Sequence, residues 1–271
     1  MARQTDAENP TKTNLSSDKL LTLIEVMARQ DEPQRLQDLA RRLDMPASTV
    51  LRFLTALHSR DYVAQDIDTG RYSLTFKLCG LGDSIRANQS LRNIGLPFLR
   101  SVASAFDESA NLAIEYDMAI MYIEAVQGPS KTLMSLQRIG HIAPMHCTGV
   151  GKLMLLSYTP QQMESLLAVK GLPRFTPGTI TSREQLDQEL RAVSQRGYAF
   201  DNEECETGVR CVAAPIYDYT GRIVAGISVS GPVTRMTDAH IDRKLPLLLD
   251  AARDISSRLG WMGKSRNRSI Y

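Results

Sequence analysis

The residues from 36 to 74, LQDLARRLDMPASTVLRFLTALHSRDYVAQDIDTGRYSL, constrain this chain more than any other stretch. Leu36, Leu39, Ala40 and Leu43 recur at spacings of three and four, which predicts a helix with one apolar face. Asp44-Met45-Pro46 ends it, because proline cannot continue a helix and pushes its predecessor out of the helical region. Val50, Phe53, Leu54 and Leu57 then mark a second helix over 47–59, with Ser48, Thr49, Arg52 and Thr55 left largely on another face. Residues 62–65 and 71–74 read as strands joined at Asp68-Thr69-Gly70, where Gly70 supplies the turn. Helix, tight turn, helix and two-stranded ribbon in that order make a winged helix-turn-helix.

Net charge adds little to this reading. Residues 1–90 hold twelve Lys/Arg and twelve Asp/Glu, and the whole chain of 271 residues carries a formal charge of +2. The charge is local instead. Arg41, Arg42, Arg52 and Arg60 face a single acid, Asp44, between positions 41 and 60, and local patches govern phosphate contact. At the front of the second helix Ser48 and Thr49 can donate to phosphates or base edges, and Arg52 has the reach to grip guanine O6 and N7 together. Two plainer roles stand beside these: Ser48 as a helix cap and Thr49 bonded to its own backbone. Arg71, on the ribbon, is expected along phosphate or the minor-groove edge.

The chain is long enough for two domains. Its polar first residues read as a tail without a secretory signal, and no apolar run approaches the roughly 20 residues of a membrane span. The four cysteines, Cys79, Cys147, Cys205 and Cys211, lack CxxC spacing, so a cytoplasmic protein with reduced thiols is expected. The divisions expected are a tail over 1–17, the winged helix-turn-helix over 18–76, a linker helix over 77–90, an effector domain over 91–262 and a second tail over 263–271. Gly80 and Gly82 weaken the linker helix and suggest a hinge. Beyond it the pattern alternates. Helices are expected at 91–106, 150–157, 160–169, 183–196 and 238–259, and strands at 111–116, 118–126, 133–138, 211–217 and 223–230. Long helices around a mostly antiparallel sheet make an α+β domain.

Five motifs in order, PASTVLRFLTAL, GRYSLTFKLCGLG, HCTGVGKLMLL, GYAFDNEECETGVRCVAAPIYDYTGRIVAGISVSGP and AARDISSRLG, resemble the IclR family of bacterial transcriptional regulators from about Leu20 to Leu259. The resemblance implies a GAF-like effector-binding carboxy-terminal domain and dimers or tetramers on palindromic double-stranded operator DNA. Within the family, the GVRCVAAPIYD and ISVSGP runs look most like regulators of small organic-acid and sugar-acid catabolism. Ala47 departs from the pattern, since many members carry a lysine or arginine there.

Three places in the second domain suggest a pocket. The loop His146-Cys147-Thr148-Gly149-Val150-Gly151-Lys152 runs into a helix, whose first amides, at Gly149, Val150 and Gly151, attract an anion. It is no Walker A loop, which would need glycine at His146 and Ser or Thr at Leu153; Lys152 is then structural or solvent-facing. Ser228 and Ser230 alternate on a strand and share a face. The resemblance matches these serines and Cys211 to a pocket binding a small carboxylate (an oxo-acid, hydroxy-acid or sugar acid), and Asp201 to an acid beside it. Thiols and hydroxyls donate hydrogen bonds without adding counter-charge.

Plainer readings remain for several of these. Cys211 could be an inert buried thiol. Glu203, Glu204 and Glu206 read as a solvated charge run. His141, His146, Cys147 and Cys205 lack a spacing for metal, so no metal or other cofactor is expected. An enzyme using Cys211 and a histidine lacks a recognisable spacing, so no catalytic residues are expected. An architectural DNA-binding protein with a vestigial sensor domain is the alternative to a ligand-responsive repressor.

Overall fold

The computed structural model describes residues 15–81, 90–129 and 139–263. Two compact units emerge, Met1–Gln89 and Ser90–Tyr271.

In the first unit α1 (Leu15–Ala28), α2 (Leu36–Arg42) and α3 (Ala47–His58) precede strands β1 (Val63–Gln65) and β2 (Tyr72–Leu74). Leu23, Met27, Leu39, Val50, Phe53, Leu54, Leu57, Val63 and Tyr72 bury one core, joining the stripes of all three helices to the ribbon. Asp44 takes the left-handed conformation, φ 50°, which turns the chain sharply between α2 and α3. The ribbon pairs antiparallel, with Val63 opposite Leu74 and Gln65 opposite Tyr72. Gln34 bridges to Tyr72 and ties the ribbon to the loop before α2. Residues 77–81 continue as helix. Gly80 falls within it, whereas Gly82 and most of the expected linker helix lie outside the described residues.

The second unit contains α4 (Leu91–Phe106), β3 (Ser109–Tyr116), β4 (Ala119–Val126), β5 (Ile142–Ala143), α5 (Gly149–Leu155), α6 (Pro160–Val169), α7 (Arg183–Arg196), β6 (Ala199–Asn202), β7 (Val209–Tyr217), β8 (Ile223–Pro232) and α8 (Asp238–Arg258). Helix ends follow their local chemistry. Thr159 and Gln162 form a capping box around Pro160 at the head of α6, and Gly197 closes α7 at φ 80°. The six strands lie in the order β5-β4-β3-β8-β7-β6, antiparallel throughout.

Alternation along the strands sends side chains to two different cores. Leu112, Val212, Ala214, Ile216, Ile227 and Val229 pack under α4 and α8. Ala113, Ala199 and Ala213 face α5, α6 and α7 with Val150, Leu153, Met163 and Leu186. The domain is thus helix, sheet and helix in three layers, the α+β arrangement expected. Two strands escaped the sequence reading, β5 and β6, and an expected strand at 133–138 lies outside the described residues.

Candidate functional site

The recognition helix α3 buries Val50, Phe53, Leu54 and Leu57 and leaves Ser48, Leu51, Arg52 and Thr55 exposed. Positions 48, 51, 52 and 55 fall on one stripe by helical spacing. Three of the expected contact residues therefore need separate statements. Ser48 does not cap the helix, because the N-cap is Pro46 and no side chain caps it. Thr49 is half-buried at the edge of the stripe. Arg52 is exposed, with its guanidinium carbon 5.6 Å from the Phe53 ring centroid. Leu51, 42 % exposed, was absent from the expected contacts because an apolar residue in a helix reads as core. Its helical-wheel angle beside Ser48 and Arg52 was the available signal.

The ribbon presents a different surface. Asp66 Oδ1 accepts the Thr69 amide and hydroxyl at 2.7 Å each, which fixes the turn and lowers the Asp66 pKa. Ile67 at the tip is 98 % exposed between Asp66 and Asp68. The tip is acidic. Arg71 stands beside the turn, its carbonyl accepting from Asp66 N at 2.8 Å; it is half-buried, and its Nη1 donates to Pro33 O at 3.4 Å.

In the second unit the sheet register builds a polar surface inside a largely apolar layer. Ser109, Ser230, Cys211 and Asp201 are successive cross-strand partners on β3, β8, β7 and β6. Directly opposed residues share a face, so the four side chains form one row. Asn111, Ser228, Ala213 and Ala199 form the neighbouring row. All of these are buried. A Cβ placed on Gly149 would stand 3.0 Å from Ala213 Cβ and 3.4 Å from Ala199 O, so α5 begins directly over that second row. Val150 presses on Gly226, whose Cβ would lie 2.7 Å from Val150 Cγ1. Gly151 packs against the Met145 backbone, and its amide donates to Thr148 Oγ1 at 3.3 Å. The fold therefore brings Gly149, Val150, Gly151, Asp201, Cys211, Ser228 and Ser230 to one side of the sheet.

Burial sets the electrostatics of this region. Ser230 Oγ is buried without a hydrogen-bond partner among the described residues. Cys211 is enclosed, and burial pushes its thiol up to about 12, although the nearby Ser230 and Ser228 hydroxyls oppose the rise. It is a protonated S–H donor at neutral pH, unsuited to nucleophilic attack. Burial also pushes Asp201 up to about 7, against two amides that favour its charge: Asp201 Oδ1 accepts from Glu204 N at 2.8 Å and Cys205 N at 3.3 Å. Tyr122 is raised well above the usual phenol value by burial and by the proximity of Cys211, Cys205, Asp201 and Cys147.

Glu204 corrects the sequence reading. Its side chain is buried and pairs with Lys152 Nζ at 2.6 Å, and Lys152 also reaches Glu189 at 3.4 Å. Lys152 is structural, 1 % exposed, and far from solvent. Glu203 is engaged too, accepting Gly208 N at 2.7 Å. Glu204 is thus part of the interior scaffold, holding the β6–β7 loop against α5, whereas Glu206 is exposed as expected of a solvated charge. Among the described residues no group of three or more His, Cys, Asp and Glu side chains is placed to hold a metal ion. No helix among them is long and apolar enough to cross a membrane.

Known proteins give this geometry its context. The IclR helix-turn-helix domain matches residues 16–66, and the family described as "Bacterial transcriptional regulator IclR C-terminal" matches 85–257. The HTH-type transcriptional repressor AllR of Escherichia coli K12 is 30% identical over 240 residues, covering 89% of this chain and 88% of that protein. The HTH-type transcriptional regulator KdgR of Dickeya chrysanthemi is 34% identical over 226 residues, 83% of this chain and 74% of that one. Among solved structures, the Thermotoga maritima IclR superposes with a TM-score of 0.60 at 27% identity, covering 91% of this chain and 99% of that chain. With both of its units matched, the chain belongs to the IclR family of bacterial transcriptional regulators.

Proposed function

We propose that this protein is a repressor of a small organic-acid or sugar-acid catabolic operon, and that a small carboxylate in the second unit alters its grip on operator DNA. The observation that carries the effector reading is the buried, unpartnered Ser230 hydroxyl, set in a row with Cys211 and Asp201. A buried hydroxyl without a partner costs free energy unless something bonds to it. A carboxylate or keto oxygen over this row would accept from Ser230, Ser228 and the Cys211 thiol. The Gly149 and Val150 amides at the start of α5 favour the same charge. The domain serves in the manner of a GAF-like sensor, and the architectural alternative leaves the Ser230 row without a purpose.

On the DNA side, Arg52 reads guanine, Ser48 and Thr55 take phosphate or base edges, and Leu51 meets a thymine methyl, the one apolar group a major groove displays. Thr49 supports the register at the margin of this face. Arg71 contributes a sequence-independent phosphate contact from the ribbon, the single cation beside its acidic tip. The protein acts in the cytoplasm, bound to the nucleoid, as a homodimer or homotetramer matched to a palindromic site. It requires no cofactor.

The test is the thermal stability of the full-length protein with a panel of short 2-oxo, 2-hydroxy and sugar acids. A ligand at a hundred times its dissociation constant stabilises a folded protein by about 2.7 kcal/mol. One acid should raise the melting temperature, and Ser230→Ala should weaken its binding by about ten- to a hundred-fold, as expected for a lost hydrogen bond to a charged group. Indifference of the wild-type protein to the whole panel would contradict the effector reading.

A further inference from the structure

An ion-pair network joins α5 to the loop between β6 and β7. Lys152, on α5, is buried, with Nζ 2.6 Å from Glu204 Oε1 and 3.4 Å from Glu189 Oε1. Glu189, on α7, also accepts from Arg196 Nη2 at 2.7 Å. Glu189 therefore has a cation of its own, and Glu204 is the partner that belongs to Lys152. The loop carrying Glu204 is held from other sides as well. The Glu204 amide donates to Asp201 Oδ1 at 2.8 Å, and its Oε1 accepts from Asn202 N at 3.3 Å. From the segment before α7, Thr179 Oγ1 donates to Glu204 O and Thr176 Oγ1 to Glu203 O, both at 2.6 Å.

Stability alone does not account for the Lys152–Glu204 pair. Two charges taken out of water carry a desolvation cost, which their attraction offsets only when the remaining polar atoms are satisfied. Glu204 Oε2 is buried without a hydrogen-bond partner among the described residues. Apolar residues of similar volume often replace such a pair without loss of stability, so what the charges add is a fixed geometry.

That geometry is the enclosure of the polar rows. The start of α5 is the roof. A Cβ on Gly149 would meet Ala213 Cβ at 3.0 Å, and one on Gly226 would meet Val150 Cγ1 at 2.7 Å, so the roof sits as low as the sheet permits. The β6–β7 loop is the wall, because it follows Asp201, which ends the row of Ser230 and Cys211. Lys152 and Glu204 tie roof to wall.

We propose that the Lys152–Glu204 pair is a positioning clamp, which holds α5 down over the Ser230 row and thereby limits the site to small acids. Both side chains are engaged with each other and act through α5 and the Asp201 loop. Without the pair, α5 keeps its apolar contacts through Val150 and Leu153, but its head parts from the loop. The limit on acid size rests on the proposed function. The clamp does not, and one arm of its test needs no effector.

The experiment compares the full-length wild type with Glu204→Gln, which keeps the side-chain shape, and with the double variant Lys152→Met/Glu204→Met. The four free cysteines report position. Cys147 lies one residue before Thr148, the cap of α5, and Cys205 follows Glu204. Cys211 lies within the sheet and Cys79 in the first unit. Alkylation by N-ethylmaleimide is followed by peptide mass spectrometry. Cys147 and Cys205 should react about ten-fold faster in both variants, as expected of a local opening, while Cys211, Cys79 and the melting temperature hold. Unchanged rates, or equal acceleration of Cys211, would overturn the clamp; if the double variant fails to fold, Glu204→Gln decides. In the second arm, calorimetry with pyruvate, lactate and gluconate should show about ten-fold weaker binding to both variants of any acid the wild type takes. Lys152→Arg, which keeps the charge pair, should retain it. Wild-type affinity in Glu204→Gln and the double variant would remove the positioning role. A wild type that binds none of the three acids would count against the effector reading, and the thiol rates would still decide the clamp.

Discussion

Desolvation dominates the chemistry of Asp201, and it yields a pH dependence with a definite sign. Burial raises its pKa to about 7, with Glu204 adding to the rise and Lys152 opposing it. The folded state therefore holds a proton that the unfolded chain releases in the ordinary carboxylate range. Its contribution to stability is complete below that range and is lost as pH rises through about 7. Two amides occupy Oδ1, so the proton belongs on Oδ2. An anionic effector binds more readily beside the neutral acid. Its affinity should fall about ten-fold between about pH 6 and about pH 8, following the protonated fraction. Titration calorimetry of wild-type protein and Asp201→Asn checks this, since the amide should flatten the profile. A wild-type affinity constant over that window would remove Asp201 from the binding event. Ser228 and Ser230 were readable as a pair from strand alternation, and Cys211 only from the resemblance. The Lys152–Glu204 pair was not, because its partners are remote in sequence and a run of acids ordinarily faces solvent.

Elements with a strong period or a flanking turn signal were legible, and short strands with neither were not. Helix α3, residues 47–58, was expected within a residue of its observed end, because four apolar side chains at helical spacing admit little else. Strand β6 has only four residues, Ala199–Asn202, two of them polar, and such a segment carries no alternation to read. Its place at the sheet edge is fixed by pairing with β7, a tertiary fact. The same limit hid Leu51, whose exposure depends on which face the core takes. This face leads to a graded prediction for DNA. Arg52→Ala should cost about 1–3 kcal/mol on operator DNA and flatten sequence preference. Leu51→Ala should lose discrimination at a thymine position while sparing random DNA, and Arg71→Ala should weaken all DNA alike and reduce the salt slope by about 1. Competition binding against a library of single-base operator variants separates the three. Equal losses on specific and random DNA for Arg52→Ala and Leu51→Ala would remove their base-reading roles.

At the scale of the whole molecule, the chain combines a DNA-reading unit of modest net charge with a three-layer domain whose interior contains a polar row. The first explains why affinity must come from placed contacts, the acidic ribbon tip included as a repulsive one. On the proposed function, the second offers a small ligand few polar groups, all buried, with one hydroxyl unpaired. A ligand changes DNA binding only through differential affinity for two states of the protein, so occupancy of the row and grip on the operator must be linked reciprocally. The most direct measurement is fluorescence anisotropy of the full-length protein on labelled DNA from upstream of its own gene. It is taken at two salt concentrations, with and without each acid of the panel. The account predicts competitor-resistant binding that one small carboxylate weakens and Ser230→Ala makes insensitive to that acid. Tight operator binding that no acid alters would contradict it.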